Sequence, residues 1–155
     1  MKTIEGQLNV RDARVCIVAA RFNDRIVEDL IRGSLDALKR HGLGDASIDV
    51  VRVPGAFELP LAARKLARTR HYDALVALGV VIRGGTPHFE YVCGECAAGL
   101  GRVSLEFEIP IGFGVLTCDT VDQAIERSGV KHGNKGADAA LAALEMVSVS
   151  RQIIP

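Results

Sequence analysis

Unbroken apolar runs alternate along the chain with stretches in which apolar residues recur every three or four positions. "ARVCIVAA" (13–20), "SIDVVRV" (47–53), "YDALVALGVVI" (72–82) and "PIGFGVLT" (110–117) are rich in β-branched residues and read as buried strands. "NDRIVEDLIRGSLDALKRHG" (23–42) instead places Ile26, Val27, Leu30, Ile31, Leu35 and Leu38 along one helical stripe. Asn23 or Asp24 can cap its start, "KRH" lies in its last turn and Gly42 follows. "ELPLAARKLAR" (58–68) reads as a helix with Pro60 in its first turn, where a missing N–H is tolerated. "HFEYVCGECAAGLGRVSLEF" (88–107) sets Val92, Cys96, Leu100, Val103 and Phe107 roughly on one face. Thr120 with Gln123 fits a capping box opening "VDQAIERS" (121–128), and Asn134, after the "HGN" break, can cap an alanine-rich last helix.

Strands that are apolar throughout and alternate with helices imply a parallel sheet covered on both faces, an α/β sandwich of three layers with four strands. The first ten residues fall outside this alternation and read as an extended arm, a strand available to a neighbouring chain. In such sheets ligands bind beyond the carboxyl ends of the strands. That draws attention to "RFN" (21–23), "PGAFE" (54–58), "RGGTPH" (83–88) and "FGVLT" (113–117).

Composition narrows the function classes. The 155 residues form one domain, 1–155, and 48% hydrophobic residues suffice for a sizeable core. Lys and Arg number 19, as do Asp and Glu, so the basic surplus of an electrostatic nucleic-acid binder is missing. The longest apolar run is far short of the roughly 20 residues that span a bilayer. "MKTIEGQLNV" lacks the apolar stretch of a secretion signal, and a cytoplasmic protein is expected. The cysteines at 16, 93, 96 and 118 give no dense disulfide framework. "CGEC" (93–96) falls within a helix, without the two further ligands of a zinc site, and no metal or redox role is expected.

Each candidate residue has a plain reading beside the chemical one. Gly84, Gly85 and Thr86 make either a flexible strand-to-helix turn or a row of N–H groups for a phosphate. His88 at a helix start is either a solvated cap or a neutral ring that exchanges protons near neutrality. Phe22 is a lid on the core or a stacking platform for a flat ligand. Glu58 near a helix start is favoured by the dipole in any case, and Arg127 and Lys135 flank the "SGVKHGN" break, where cations are usually solvated.

Together the stretches say more. "ARFN", "VPGAFELPLAA", "YDALVALGVVIRGGTPHFEYV", "FGVLT", "QAIERSG" and "GNKGADAALAALEM" occur in order over nearly the whole chain. The chain resembles the 6,7-dimethyl-8-ribityllumazine synthase family, which acts at the penultimate step of riboflavin biosynthesis. That resemblance implies a flavodoxin-like αβα fold. It also implies condensation of 5-amino-6-(D-ribitylamino)uracil with 3,4-dihydroxy-2-butanone 4-phosphate, without metal or cofactor, at sites shared between subunits of a pentamer. By the same resemblance, Phe22 stacks on the pyrimidine. Asn23, Ala56, Phe57 and Glu58 belong to the aminouracil and ribityl site, and the backbone of Val80, Val81 and Ile82 meets the pyrimidine edge. Gly85 and Thr86 hold the phosphate and His88 moves protons. A neighbouring subunit supplies Phe113, Lys135 and the phosphate ligand Arg127. The compact turn "GVKHGN" goes, in this family, with an icosahedral 60-mer of pentamers, which can enclose riboflavin synthase. The alternative is a non-catalytic flavin or lumazine binder on the same scaffold. A phosphate clamp beside a proton-transfer group argues against it. A flavodoxin-like electron carrier fits less well, because "RFND" replaces the Ser/Thr-rich loop that holds FMN phosphate.

Overall fold

A computed structural model describes residues 1–153; positions 154 and 155 of the expected domain lie outside the described residues. The chain runs β1 (Val15–Ala20), α1 (Asp24–Arg40), β2 (Ile48–Val53), α2 (Leu59–Arg68), β3 (Ala74–Ile82), α3 (His88–Phe107), β4 (Ile111–Cys118), α4 (Val121–Glu126) and α5 (Lys135–Gln152). The four strands form one parallel sheet in the order β2-β1-β3-β4. Alternate residues of β1 serve the two faces. Val15, Ile17 and Ala19 pack with Leu30, Leu38 and Leu144 under α1 and α5, while Cys16 and Val18 pack with Leu59, Cys96 and Leu100 under α2 and α3. This is the three-layer αβα sandwich the alternation implies.

Burial is less even than the apolar runs suggest. β1 and the first seven residues of β3 are wholly buried, but the outer strands are not: Asp49 and Val50 of β2, and Phe113 and Thr117 of β4, are exposed. A strand at the margin of a sheet has one neighbour instead of two, and helices cover it incompletely. Cys16 of β1 and Cys96 of α3 belong to the core, while Cys93 on α3 is only half-buried. Desolvation pushes the Cys16 thiol up to about 12 and the Cys96 thiol up to about 11, so neither is a thiolate near neutrality.

The amino-terminal arm carries no strand within one chain. It lies along α5: the Gln7 N–H donates to Ser148 Oγ at 3.0 Å, the Gln152 amide donates to the Glu5 carbonyl at 2.9 Å, and Val10 is buried. Two of the predicted caps form as expected. Asn134 Oδ1 accepts from the N–H groups of Gly136 and Ala137, and Thr120 Oγ1 accepts from Gln123 N. The Gln123 side chain, however, accepts from Asp119 N instead of returning to Thr120.

α1 and α5 cross where side chains nearly vanish. Ser34 Oγ donates to the Gly136 carbonyl at 2.7 Å, and Asn134 Nδ2 donates to the Asp29 carbonyl at 2.8 Å. A Cβ at Gly136 would sit 2.1 Å from the Leu30 carbonyl oxygen, closer than any real contact. Gly136→Ala is therefore expected to destabilise by about 1–3 kcal/mol through overpacking. Gly44→Ala, with open space around its Cβ and no positive φ, should be near neutral. Urea unfolding midpoints of the two variants check this; equal midpoints would show that the crossing tolerates a methyl group.

Candidate functional site

In a sheet ordered β2-β1-β3-β4 the chain steps to one side of β1 for β2 and to the other for β3. The crevice beyond the carboxyl ends of β1 and β3 is then the expected ligand position. A cavity of about 460 Å³ opens there, lined by Phe22 and Asn23 after β1, Gly55 to Glu58 after β2, Val80 to Ile82 at the end of β3, and His88, Tyr91 and Val92 on α3.

Its floor is built from backbone. The N–H groups of Arg21 and Phe22 donate to the carbonyls of Val53 and Pro54, at 2.8 Å for the shortest, which ties the β1–α1 turn to the end of β2. The Phe22 ring then lies against Gly55: a Cβ there would be 2.6 Å from Phe22 Cδ2. Gly55 N donates to Glu58 Oε2 at 2.9 Å, so the same bare residue also fixes the carboxylate that faces the cavity. Phe22 is 65% exposed, so it is not a lid on the core, and its ring is open to the cavity. Phe57 is exposed beside it, and Ala56 is buried in the wall.

Asn23 lines the cavity but does not cap α1 as expected. It stands at the start of α1 in the left-handed region, φ 61°, and its side chain makes no cap. Instead Nδ2 donates to the Val80 carbonyl at 2.9 Å, tying the β1–α1 turn to β3. Asparagine tolerates this backbone region better than most residues. One lone pair of the Val80 carbonyl is thus taken by the chain itself. Val81 and Ile82 continue the ladder opposite Thr117 and Cys118 and remain half-exposed to the cavity.

His88 is the first residue of α3, exposed, with its ring lining the cavity. Between β3 and His88, the residues Gly84, Gly85 and Thr86 are exposed. Neither glycine has a positive φ, and a Cβ at either would meet nothing within 4 Å. The turn therefore gives no reason within one chain for two glycines. Close approach of a ligand's charged oxygens to the main chain does give one.

The remaining predicted residues lie elsewhere. Phe113, Arg127 and Lys135 line a second hollow of about 300 Å³ on the open side of β4, with Thr117, Cys118 and Gln123. Phe113 stands inside β4 rather than beyond it, and is exposed. Arg127 follows the last residue of α4 and donates from Nη1 to the Gln123 carbonyl at 2.9 Å. Lys135 opens α5 and pairs with Asp138 at 2.9 Å. A bridge between Ser128 and Asn134, with Lys135 N donating to the Arg127 carbonyl at 2.9 Å, closes the turn and holds the two cations at its base.

One chain thus brings together the ring, the carboxylate and the imidazole, and leaves both remote cations in a separate hollow. The sequence reading omitted Tyr91 and Val92 from the cavity. They stand three and four residues after His88, the spacing that shares a helix face, and that periodicity was the available signal.

A model of the 6,7-dimethyl-8-ribityllumazine synthase family matches residues 12–151, and the chain belongs to that enzyme family of riboflavin biosynthesis. Among the described residues no helix is long and apolar enough to cross a membrane. Gly55→Ala is expected to displace the Phe22 ring and weaken binding of a lumazine analogue about three- to tenfold, the range that an aromatic stacking contact supports. Calorimetric titration checks this, and an unchanged affinity would show that the ring is not the platform.

Proposed function

We propose that this chain, folded as one domain over residues 1–155, is a transferase. Its reaction condenses 5-amino-6-(D-ribitylamino)uracil with 3,4-dihydroxy-2-butanone 4-phosphate to 6,7-dimethyl-8-ribityllumazine, inorganic phosphate and water. The observation that carries this reading is the division of the family's site residues between the cavity at the sheet's switch point and the hollow on β4. Two such halves complete each other when a second copy sets its β4 side over the first copy's cavity. The active assembly is then a homo-oligomer, a cytoplasmic pentamer built further into an icosahedral shell.

The flat pyrimidine stacks on Phe22, with Asn23 beside it, and its edge meets the backbone of Val80 to Ile82, while Ala56 and Phe57 hold the ribityl chain. Glu58 accepts from hydroxyls of the ribityl chain. Phe113 and Lys135 of a neighbouring copy close over the ring. Gly85 and Thr86 meet the phosphate of the four-carbon substrate, and Arg127 of the neighbouring copy neutralises it by a charge-assisted contact.

The 5-amino nitrogen attacks the ketone carbon, and water leaves as the imine forms. Loss of the proton on the adjacent carbon gives an enamine, whose electron pair expels phosphate from the terminal carbon. The resulting enol takes up a proton to become a methyl ketone. The ribityl-bearing nitrogen then attacks that ketone, and a second water leaves as the ring closes. His88 moves the protons, while the loop and Arg127 hold the departing anion. Both substrates react readily, so orientation and proton transfer are the enzyme's main tasks, and no strong nucleophile is required.

His88→Ala is expected to slow turnover by about 10²–10⁴ at most, the range for one acid–base group, and by less if the uncatalysed condensation intrudes. Mixed with Arg127→Ala subunits it should regain activity, since some shared sites then carry both native residues. Lumazine formation from the two substrates measures this; binding of lumazine without any turnover by the wild type would favour the non-catalytic alternative.

Light scattering at neutral pH is expected to show a particle of about sixty chain masses, large enough to enclose riboflavin synthase. Five chain masses would restrict the assembly to the pentamer.

A further inference from the structure

The Gly84–Thr86 segment has almost no restraint of its own. Among the described residues, its three members make no hydrogen bond to the rest of the chain, and the space around both glycines is open. Yet the reaction proposed above needs its N–H groups held in place. What fixes the loop is the residue before it. Arg83 N donates to the Cys118 carbonyl at 2.9 Å, extending the β3–β4 ladder by one residue. Its guanidinium then reaches two ways. Nε donates to Asp119 Oδ1 at 2.8 Å in the β4–α4 turn, and Nη1 donates to Glu90 Oε1 in the first turn of α3. The guanidinium carbon also stands 4.3 Å from the centroid of the Phe89 ring, next to His88. Both ends of the loop are thereby fastened to one planar group.

We infer that Arg83 is a positioning residue for the phosphate of the four-carbon substrate, acting through the Gly84–Thr86 main chain; this rests on the reaction proposed above. Its Nε and Nη1 donors are engaged by Asp119 and Glu90, so we assign Arg83 to holding the loop rather than to binding the anion itself. Its fork suits the task better than an ammonium would, because two donors in one plane fix an angle as well as a distance. The hydrogen bond from Arg83 holds the Glu90 carboxyl below its ordinary range. The partners are all partly exposed, so the clamp is a modest one.

The test compares wild type with Arg83→Met, Arg83→Lys and Glu90→Gln, measuring KM for each substrate, kcat, and inhibition by inorganic phosphate. Arg83→Met should raise KM for the butanone phosphate, and the inhibition constant of phosphate, about tenfold, while KM for the aminouracil stays within about twofold. Arg83→Lys should fall between Met and wild type. Glu90→Gln removes a negative charge beside an anion site. Electrostatics alone would then lower the butanone phosphate KM, whereas loss of a positioning arm should raise it about threefold. A fall, or no change, in Glu90→Gln overturns the inference even if Arg83→Met fails to fold, and so does an equal rise in both KM values. Absence of turnover in the wild type would instead overturn the proposed reaction on which the inference stands.

Discussion

A parallel sheet ends in a row of carbonyls and N–H groups whose ladder partners have run out, and this molecule is organised around where those groups go. At the carboxyl ends of its strands they are used to tie one turn to the next strand. Arg21 and Phe22 donate to the last carbonyls of β2 and its following proline, Asn23 donates to β3, and Arg83 donates to β4. Each bond joins segments distant in sequence, and together they make a rigid rim around an open crevice. The side chains with chemical potential stand on that rim. Phe22 and Glu58 are further steadied by Gly55, against which the ring lies and whose N–H holds the carboxylate.

Much of this was legible in the residues, because two periodicities with different lengths cannot be confused over long segments. The runs at 13–20 and 72–82, and the stripe from Ile26 to Leu38, each allow only one reading. What resisted was whatever depends on a distant partner. Nothing near Asn23 says that its amide will seek Val80 rather than the start of its own helix. Nothing near Arg83 distinguishes a clamp on Asp119 and Glu90 from a phosphate ligand. The same limit applies to β2 and β4: their apolar character is visible locally, but their place at the sheet margins, which leaves Val50 and Phe113 exposed, is a property of strand order. The family residues were identified by resemblance, and their division between two hollows is visible only once the chain is folded.

That division puts binding and burial on the same side of the ledger. Phe22 and Phe57 on one rim, and Phe113 with Val121 and Ile125 near the other, expose apolar surface that a folded chain ordinarily hides. Covering such surface with a second copy would remove it from water, and would also exclude water from any ligand between them. Association and substrate enclosure would then draw on one driving force.

Asn134 shows how finely such ties are set. Its Oδ1 receives two N–H groups of the helix it begins, and its Nδ2 gives to the carbonyls of Asp29 and Ser128. Exchanging that nitrogen for oxygen, the single-atom difference between asparagine and aspartate, leaves shape and size almost untouched. The oxygen that caps α5 would keep its work, and the helix dipole would welcome the charge. The new oxygen would face two carbonyl oxygens with nothing to offer either. Replacement of Asn134 by aspartate would therefore leave the helix intact and unfasten it from α1, separating local order from the architecture it serves.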